Sequence, residues 1–264
     1  MRHEIMREVK RVALNRYPDP LANDLRDMIA EANGLDRDQV LVGNGGDELL
    51  FNMALAWGGP GRTFLNLPPT FSVYEANARL TNTTVANVPR RADFSIDEEA
   101  VLARVAEGGI DYLVVTSPNN PTGELAGETF VCRLLDATDA LVMVDEAYFE
   151  FSRQTMRPYL AQHKNLVILR TFSKAFSLAG VRMGYLLGDA EVIREFVKVR
   201  QPYSCLLYTS TMRASKKADL LANERFDAAE AAAVLDREAA RLAQVEAVAR
   251  AGFGGCLLYT SRCV

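Results

Sequence analysis

A surplus of positive charge is missing from this 264-residue chain. Its 30 Lys and Arg are outnumbered by 34 Asp and Glu, a formal net charge of -4 at pH 7. Binding to a phosphate backbone needs the opposite balance, so a nucleic-acid partner is not expected. No apolar run approaches the ~20 residues of a membrane span, and the opening MRHEIMREVKRV carries charges where a secretion signal needs an apolar stretch. The expectation is a cytoplasmic protein without a membrane partner. Cysteine is scarce: Cys132, Cys205, Cys256 and Cys263 form no CxxC pair and have no neighbouring His, so no zinc or redox site is expected. The dinucleotide fingerprint GxGxxG is also missing, which disfavours a nicotinamide cofactor.

What is there is ordinary enzyme-like composition, 49% hydrophobic and 24% charged, on a chain long enough to bury a sizeable core. Helical spacing from about Glu4 to Ala32 is interrupted at Tyr17-Pro18-Asp19-Pro20, where two prolines force an extended loop. Short β-branched or apolar runs then alternate with helical stretches. Strands are expected at Val40-Val42, Thr63-Leu67, Tyr112-Thr116, Ala140-Val144 and Leu166-Leu169, and helices at Asp47-Trp57, Thr70-Leu80 and Gly127-Ala137. That alternation predicts an α/β fold with a mostly parallel sheet and helices on both faces.

Four segments carry chemistry. Lys174, in TFSKAFSLAGVRMGY, follows a strand end, where open α/β sheets place their ligands. Its amine can form a Schiff base with an aldehyde, while Thr171, Ser173 and Arg182 can hold a phosphate. An aldehyde bearing a phosphate describes pyridoxal phosphate. Read alone, a lysine between hydroxyls is more often a solvated loop. Asp145 ends the apolar run Ala140-Val144, and a buried carboxylate needs a partner; a protonated pyridine nitrogen is one, and a cap on the following turn is the plainer alternative. SPNNPTG, from Ser117 to Gly123, fixes a tight loop that offers two amides to a ligand. Asn44-Gly45-Gly46-Asp47-Glu48 opens a helix, and backbone amides at such an end favour an anion, although Asp47 also suits an N-cap.

In this order, NGGDE, PPTF, SPNNPTG, VDEAY and TFSKAFSLAGVRMGY resemble the fold-type I pyridoxal-phosphate-dependent aminotransferases. Within them DEAYFEF, RTFSKAF and LNRYPDP are most similar to the histidinol-phosphate aminotransferases, with threonine-phosphate decarboxylase the runner-up, over residues 4 to 204 or so. The resemblance implies that Lys174 anchors the cofactor and moves a proton between substrate Cα and cofactor C4′. It implies that Asp145 pairs with the pyridine nitrogen, that Asn120 and Tyr148 bond the phenolic oxygen, and that Phe71 and Ala147 cover the two ring faces. The cofactor phosphate would be held by the amides of Gly46, Asp47 and Glu48, by Thr171 and Ser173, and by Arg182. Tyr17 would reach it from a second copy of the chain, so a homodimer is implied. The substrates implied are histidinol phosphate and 2-oxoglutarate, or imidazole-acetol phosphate and glutamate, in histidine biosynthesis.

Two departures shape the expected domains. CLLYTS stands identically at 205–210 and 256–261 with unrelated flanks, unlike a structural repeat, which drifts over a whole unit. It resembles one reading frame of the transposon end sequence used to prepare sequencing libraries. A cofactor-binding large domain is therefore expected over residues 1–204, lacking the family's N-terminal arm. Residues 205–264, with a helical stretch Ala218-Ala251, are read as a helical segment flanked by that repeat, with sequence contamination as the expected source. No match to the substrate-binding arginine of the family's small domain follows Ser204. The alternatives to histidinol-phosphate transamination are threonine-phosphate decarboxylation, another class I/II aminotransferase, and a polypeptide that binds the cofactor without turnover.

Overall fold

The computed structural model describes residues 17–202. The start of the expected first helix, the segment 205–264 with both CLLYTS copies, and Cys205, Cys256 and Cys263 lie outside the described residues.

Seven strands form one sheet in the order β1-β7-β6-β5-β4-β2-β3. They are β1 Val40–Gly43, β2 Thr63–Asn66, β3 Thr84–Asn87, β4 Tyr112–Thr116, β5 Leu141–Asp145, β6 Leu166–Thr171 and β7 Gly184–Gly188. The pairs β2·β3, β2·β4, β4·β5 and β5·β6 are parallel, whereas β7 runs antiparallel to both β6 and β1. The expected mostly parallel sheet holds. Two of its strands, β3 and β7, were not expected: TVAN is short and half-exposed, and GYLLG is bounded by glycines.

The helices are α1 Asn23–Asn33, α2 Gly45–Trp57, α3 Val73–Leu80, α4 Glu98–Ala106, α5 Glu128–Asp136, the single turn α6 Phe149–Ser152, and α7 Ala190–Val199. Their ends follow from local chemistry. The Asp19 carboxylate accepts from the N–H groups of Leu21 (3.0 Å) and Asn23 (2.7 Å) at the entry to α1, and Gly34 ends that helix in the left-handed region. Asp97 and Asp189 accept from backbone N–H groups at the starts of α4 and α7.

Strand alternation divides the core between the two faces of the sheet. Leu141, Met143, Val167 and Leu169 pack with Leu49, Leu50 and Met53 of α2, Tyr74 and Ala78 of α3, and Ile193 and Phe196 of α7. Val142 and Val144 point the other way, where α1 lies along β1 and α5 buries Phe130, Val131, Leu134 and Leu135. Fully burying one such side chain contributes roughly 1.5–3 kcal/mol, so these layers hold the sheet firmly enough to serve as a platform. Among the described residues no helix is long and apolar enough to cross a membrane.

Register aligns the strand ends. Thr116 of β4 pairs with Asp145 of β5, and Gly184 of β7 lies between Thr171 of β6 and Gly43 of β1. The carboxyl ends of the central parallel strands therefore meet the first turn of α2, and every segment singled out for chemistry opens onto this edge.

Candidate active site

Asp145 sits at the end of β5, buried to 4% exposure. Its Oδ2 accepts from the Tyr74 hydroxyl at 2.7 Å and its Oδ1 from the Ala147 N–H at 2.9 Å. The turn-capping alternative is therefore realised, yet it engages only one oxygen. Burial pushes the carboxyl above its ordinary value; the Tyr74 and Ala147 bonds and the Lys174 charge pull it down, and Asp47 adds to the rise. A buried carboxyl with this balance is suited to a further cation.

Lys174 stands on the loop after β6, exposed. Its Nζ is 5.4 Å from the centre of the Tyr148 ring, and its charge acts on Asp145. The structure thus brings Lys174, Asp145, Ala147 and Tyr148 together around one opening. Phe71, half-buried, meets Tyr74 edge to face, with ring centroids 5.6 Å apart and planes at 84°. It therefore stands one ring away from Asp145.

The second half of the site is the first turn of α2. Its first amides have no intrahelical acceptors. Gly45 lies there at φ +81, and a Cβ on it would come within 2.6 Å of Arg182 Nη2. The Arg182 guanidinium thus covers this turn and bonds Asp47 Oδ2 at 2.7 Å. Gly184 brings β7 against the same turn, since a Cβ on it would meet Gly46 N at 2.8 Å and the Gly45 carbonyl carbon at 2.9 Å. Only a residue without a side chain allows that approach. A guanidinium, unpaired amides and two bare glycines make a cradle for an oxyanion.

Thr171 is buried; its hydroxyl donates to Met183 O at 3.2 Å and accepts from Ser173 N at 3.1 Å. It fixes the backbone from which Ser173 and Lys174 project. Glu48 takes the Asn44 N–H with its carboxylate and closes the turn that leads into α2. Asn120 is half-buried beside Asn119, which does the bonding in this loop. Asn119 donates to Pro69 O (3.1 Å) and Thr122 Oγ1 (2.8 Å), and it accepts from Thr70 Oγ1 at 2.9 Å. Tyr17 is 80% exposed, on the loop before α1.

The sequence reading passed over Tyr74 and Thr116, whose hydroxyls lie 2.9 Å apart, and over Gly184. Tyr74 follows Phe71 by three residues. Behind the site Glu146, buried, accepts from Arg170 Nε at 2.9 Å, Thr155 Oγ1 at 2.9 Å and Met156 N at 2.7 Å. Arg170 also stacks 3.8 Å over the Phe149 ring. This paired ion network locks β5 to β6 below the reactive edge. Among the described residues no three His, Cys, Asp or Glu side chains gather as a metal site.

This arrangement, an amine facing a buried acid beside an oxyanion cradle at a sheet's carboxyl edge, defines a class of α/β enzyme. The chain belongs to the aminotransferase class I and II family, whose model matches residues 2–254. It is 40% identical over 205 residues to the histidinol-phosphate aminotransferase of Chlorobium phaeobacteroides, covering 77% of this chain and 57% of that relative. The chain thus spans less than two thirds of the relative's length. Among solved structures it is similar to the histidinol-phosphate aminotransferase of Sinorhizobium meliloti in complex with pyridoxal-5'-phosphate, at 25% identity and TM-score 0.73, over 83% of this chain and 62% of the other. It is also similar to the L-threonine-O-3-phosphate decarboxylase of Porphyromonas gingivalis, at 26% identity and TM-score 0.68, over 84% and 69%.

Proposed function

We propose that this chain binds pyridoxal phosphate and serves transamination between histidinol phosphate and 2-oxoglutarate, or in reverse between imidazole-acetol phosphate and glutamate, in cytoplasmic histidine biosynthesis. The observation that carries the reading is Lys174 facing buried Asp145 around the Tyr148 ring, beside the Arg182-covered first turn of α2. These residues fit the cofactor on two counts. The Asp145 carboxyl is buried with too few donors for its charge, and the absence of a Cβ on Gly45 and Gly184 lets the Arg182 guanidinium and β7 close on the α2 first turn, where an oxyanion would sit.

Pyridoxal phosphate, when bound, supplies an electron sink for the pair released at the substrate Cα. Lys174 would anchor the cofactor aldehyde and would take and return the proton at the substrate Cα. Asp145 would hold the pyridine nitrogen and favour its protonated state. Asn120 and Tyr148 would hold the phenolic oxygen, and Phe71 and Ala147 would exclude water from the ring. The amides of Gly46, Asp47 and Glu48, the Ser173 hydroxyl and Arg182 would hold the phosphate, with the Thr171 hydroxyl fixing the backbone that presents Ser173. Tyr17, exposed on its loop, reaches the same phosphate in a second copy, which makes the working unit a homodimer.

The test is the absorbance spectrum of the purified chain with pyridoxal phosphate, before and after histidinol phosphate is added. The expected result is a visible band of lysine-bound cofactor that Lys174→Ala removes and that histidinol phosphate shifts to the pyridoxamine form. Asp145→Ala keeps a band but not the shift. A chain with no such band overturns the reading. The similarity to the P. gingivalis enzyme favours a second reaction, decarboxylation of threonine phosphate, and release of carbon dioxide from that substrate without the pyridoxamine shift would select it.

A further inference from the structure

Four side-chain contacts run in one line from the buried acid to the loop that carries Asn120. The Tyr74 hydroxyl donates to Asp145 Oδ2 at 2.7 Å and lies 2.9 Å from Thr116 Oγ1. Thr116 Oγ1 is in turn 3.2 Å from Thr70 Oγ1, which donates to Asn119 Oδ1 at 2.9 Å. Asp145, Tyr74, Thr116 and Asn119 are each no more than 4% exposed, so half-buried Thr70 is the one member of the line open to solvent.

This line is one hydrogen short. An ionised carboxylate has none to give. Asn119 Nδ2 spends its two on Pro69 O (3.1 Å) and Thr122 Oγ1 (2.8 Å), and because a carbonyl such as Pro69 O can only accept, it is Oδ1 that faces Thr70. The line therefore ends in an acceptor at each side, and three hydroxyls have three hydrogens for four contacts. With Tyr74 donating to Asp145 and Thr70 to Asn119, the single Thr116 hydrogen serves either Tyr74 or Thr70. The distances show which, since the contact between the two threonines is the longest of the four. A proton on Asp145 Oδ2 fills the line: Asp145 donates to Tyr74, Tyr74 to Thr116, Thr116 to Thr70, and Thr70 to Asn119. Thr70 then accepts as well as donates, which polarises it and strengthens its bond to Asn119.

We propose that Thr70 and Thr116 are positioning residues for Asp145, whose hydroxyls turn with the Asp145 proton and so tie the charge on that carboxyl to the hold on Asn119, beside Asn120. They act through Tyr74 at one end and Asn119 at the other. The titratable and charged groups that face Asp145 are Tyr74 on α3, Lys174 after β6 and Asp47 on α2, and the test leaves all three in place. The role toward the cofactor rests on the function proposed above, because a pyridinium needs Asp145 ionised; the hydroxyl line itself does not.

The experiment is a pH titration by nuclear magnetic resonance of the full chain without cofactor, following the Asp145 carboxyl carbon, identified by its loss in Asp145→Asn, and the Asn119 side-chain amide. In the parent the two signals shift with one midpoint. Thr70→Val takes one hydrogen bond from the ionised form and two from the protonated form, so the Asp145 midpoint falls by roughly 0.5–1 pH unit and the Asn119 signal no longer follows it. Thr116→Val behaves alike, the double variant goes no further, and Thr70→Ser, which keeps the hydroxyl, stays with the parent. An Asp145 midpoint that Thr70→Val leaves in place, or additive shifts in the double variant, overturns the proposal. So does a parent in which the two signals do not titrate together, a result that needs no variant to fold. With cofactor, the pH below which binding of pyridoxal phosphate weakens moves down with the midpoint in Thr70→Val. Binding that keeps the parent's pH dependence while the midpoint has moved overturns the role toward the cofactor. A parent that binds no pyridoxal phosphate sinks the proposed function, and the titrations still decide the hydroxyl line.

Discussion

The Tyr74 hydroxyl donates to Asp145 Oδ2 at 2.7 Å while lying 2.9 Å from Thr116 Oγ1, so one phenol on α3 fastens the ends of β4 and β5. Burial and the Asp145 charge hold that phenol well above its ordinary range, so it stays a donor. Tyr74→Phe leaves a buried carboxyl short of a donor. The expected loss is roughly 1–3 kcal/mol of stability, read from urea unfolding. Removing a donor to the charged form also raises the Asp145 proton affinity further, so the acid limb of the activity profile moves to higher pH. A limb that stays in place would mean that Asp145 is not the titrating group.

Gly184 tests the cradle. An added methyl there meets the backbone of Gly45 and Gly46 below 3 Å, and backbone cannot swing aside as the end of a long side chain can. Gly184→Ala is expected to cost roughly 1–3 kcal/mol through overpacking and to weaken binding of pyridoxal phosphate more than binding of pyridoxal, because the disturbed turn is the one facing the phosphate. Gly180→Ala, where a Cβ meets nothing within 4 Å, is the control. Equal thermal shifts in the two variants would refute the close approach.

Much of this was legible in the chain itself, for identifiable reasons. Buried parallel strands such as Leu141–Asp145 read as continuous apolar runs, and turn residues mark where they stop, so the segments at the sheet edge stand out. β3 was not legible because an edge strand with the pattern Thr-Val-Ala-Asn buries little and shows no apolar run. β7 was hidden by Gly184 and Gly188, which are there for close packing rather than strand propensity. Asn119 and Asn120 look equivalent in sequence. Only the fold shows that the first supports the loop while the second stands half-buried beside it. Tyr74 was missed because its partners lie far along the chain, and no local spacing encodes a contact between Tyr74 and Asp145.

Glu150 on α6 gives stability a pH dependence of definite sign. Among the described residues its Oε2 is buried without a partner, and burial raises the carboxyl to about 7, with Arg170 pulling down and Glu146 pushing up. The unfolded value is near 4.5. Between these two values the folded chain binds a proton that the unfolded chain does not, so this group's contribution to stability rises as pH falls from 7 towards 4.5 and is lost as pH rises through 7. Glu150→Gln, neutral throughout, is expected to be more stable than the parent at about pH 8, with the difference closing near about pH 5. Urea midpoints at several pH values measure this. A constant difference across the range would show that Glu150 does not titrate in that window.

Asp47 and Arg182 pose a competition whose outcome can be read directly. The Asp47 carboxylate bonds Arg182 Nη2 at 2.7 Å, in front of the α2 amides that are proposed to hold the cofactor phosphate. Both side chains are partly exposed, at 59% and 43%, so the pair itself adds at most about 1 kcal/mol to stability. Asp47→Asn also forfeits a favourable charge at the helix N-terminus, worth roughly 0.3–1 kcal/mol. The fold should therefore lose little. An incoming phosphate gains more, because it no longer faces a like charge or a rival for the same guanidinium. Several-fold tighter binding of inorganic phosphate and of pyridoxal phosphate is expected, with the advantage shrinking as salt screens the exposed charges. Calorimetric titration at two ionic strengths checks both parts. Weaker binding by Asp47→Asn would mean that the carboxylate orients Arg182 for the anion instead of competing with it.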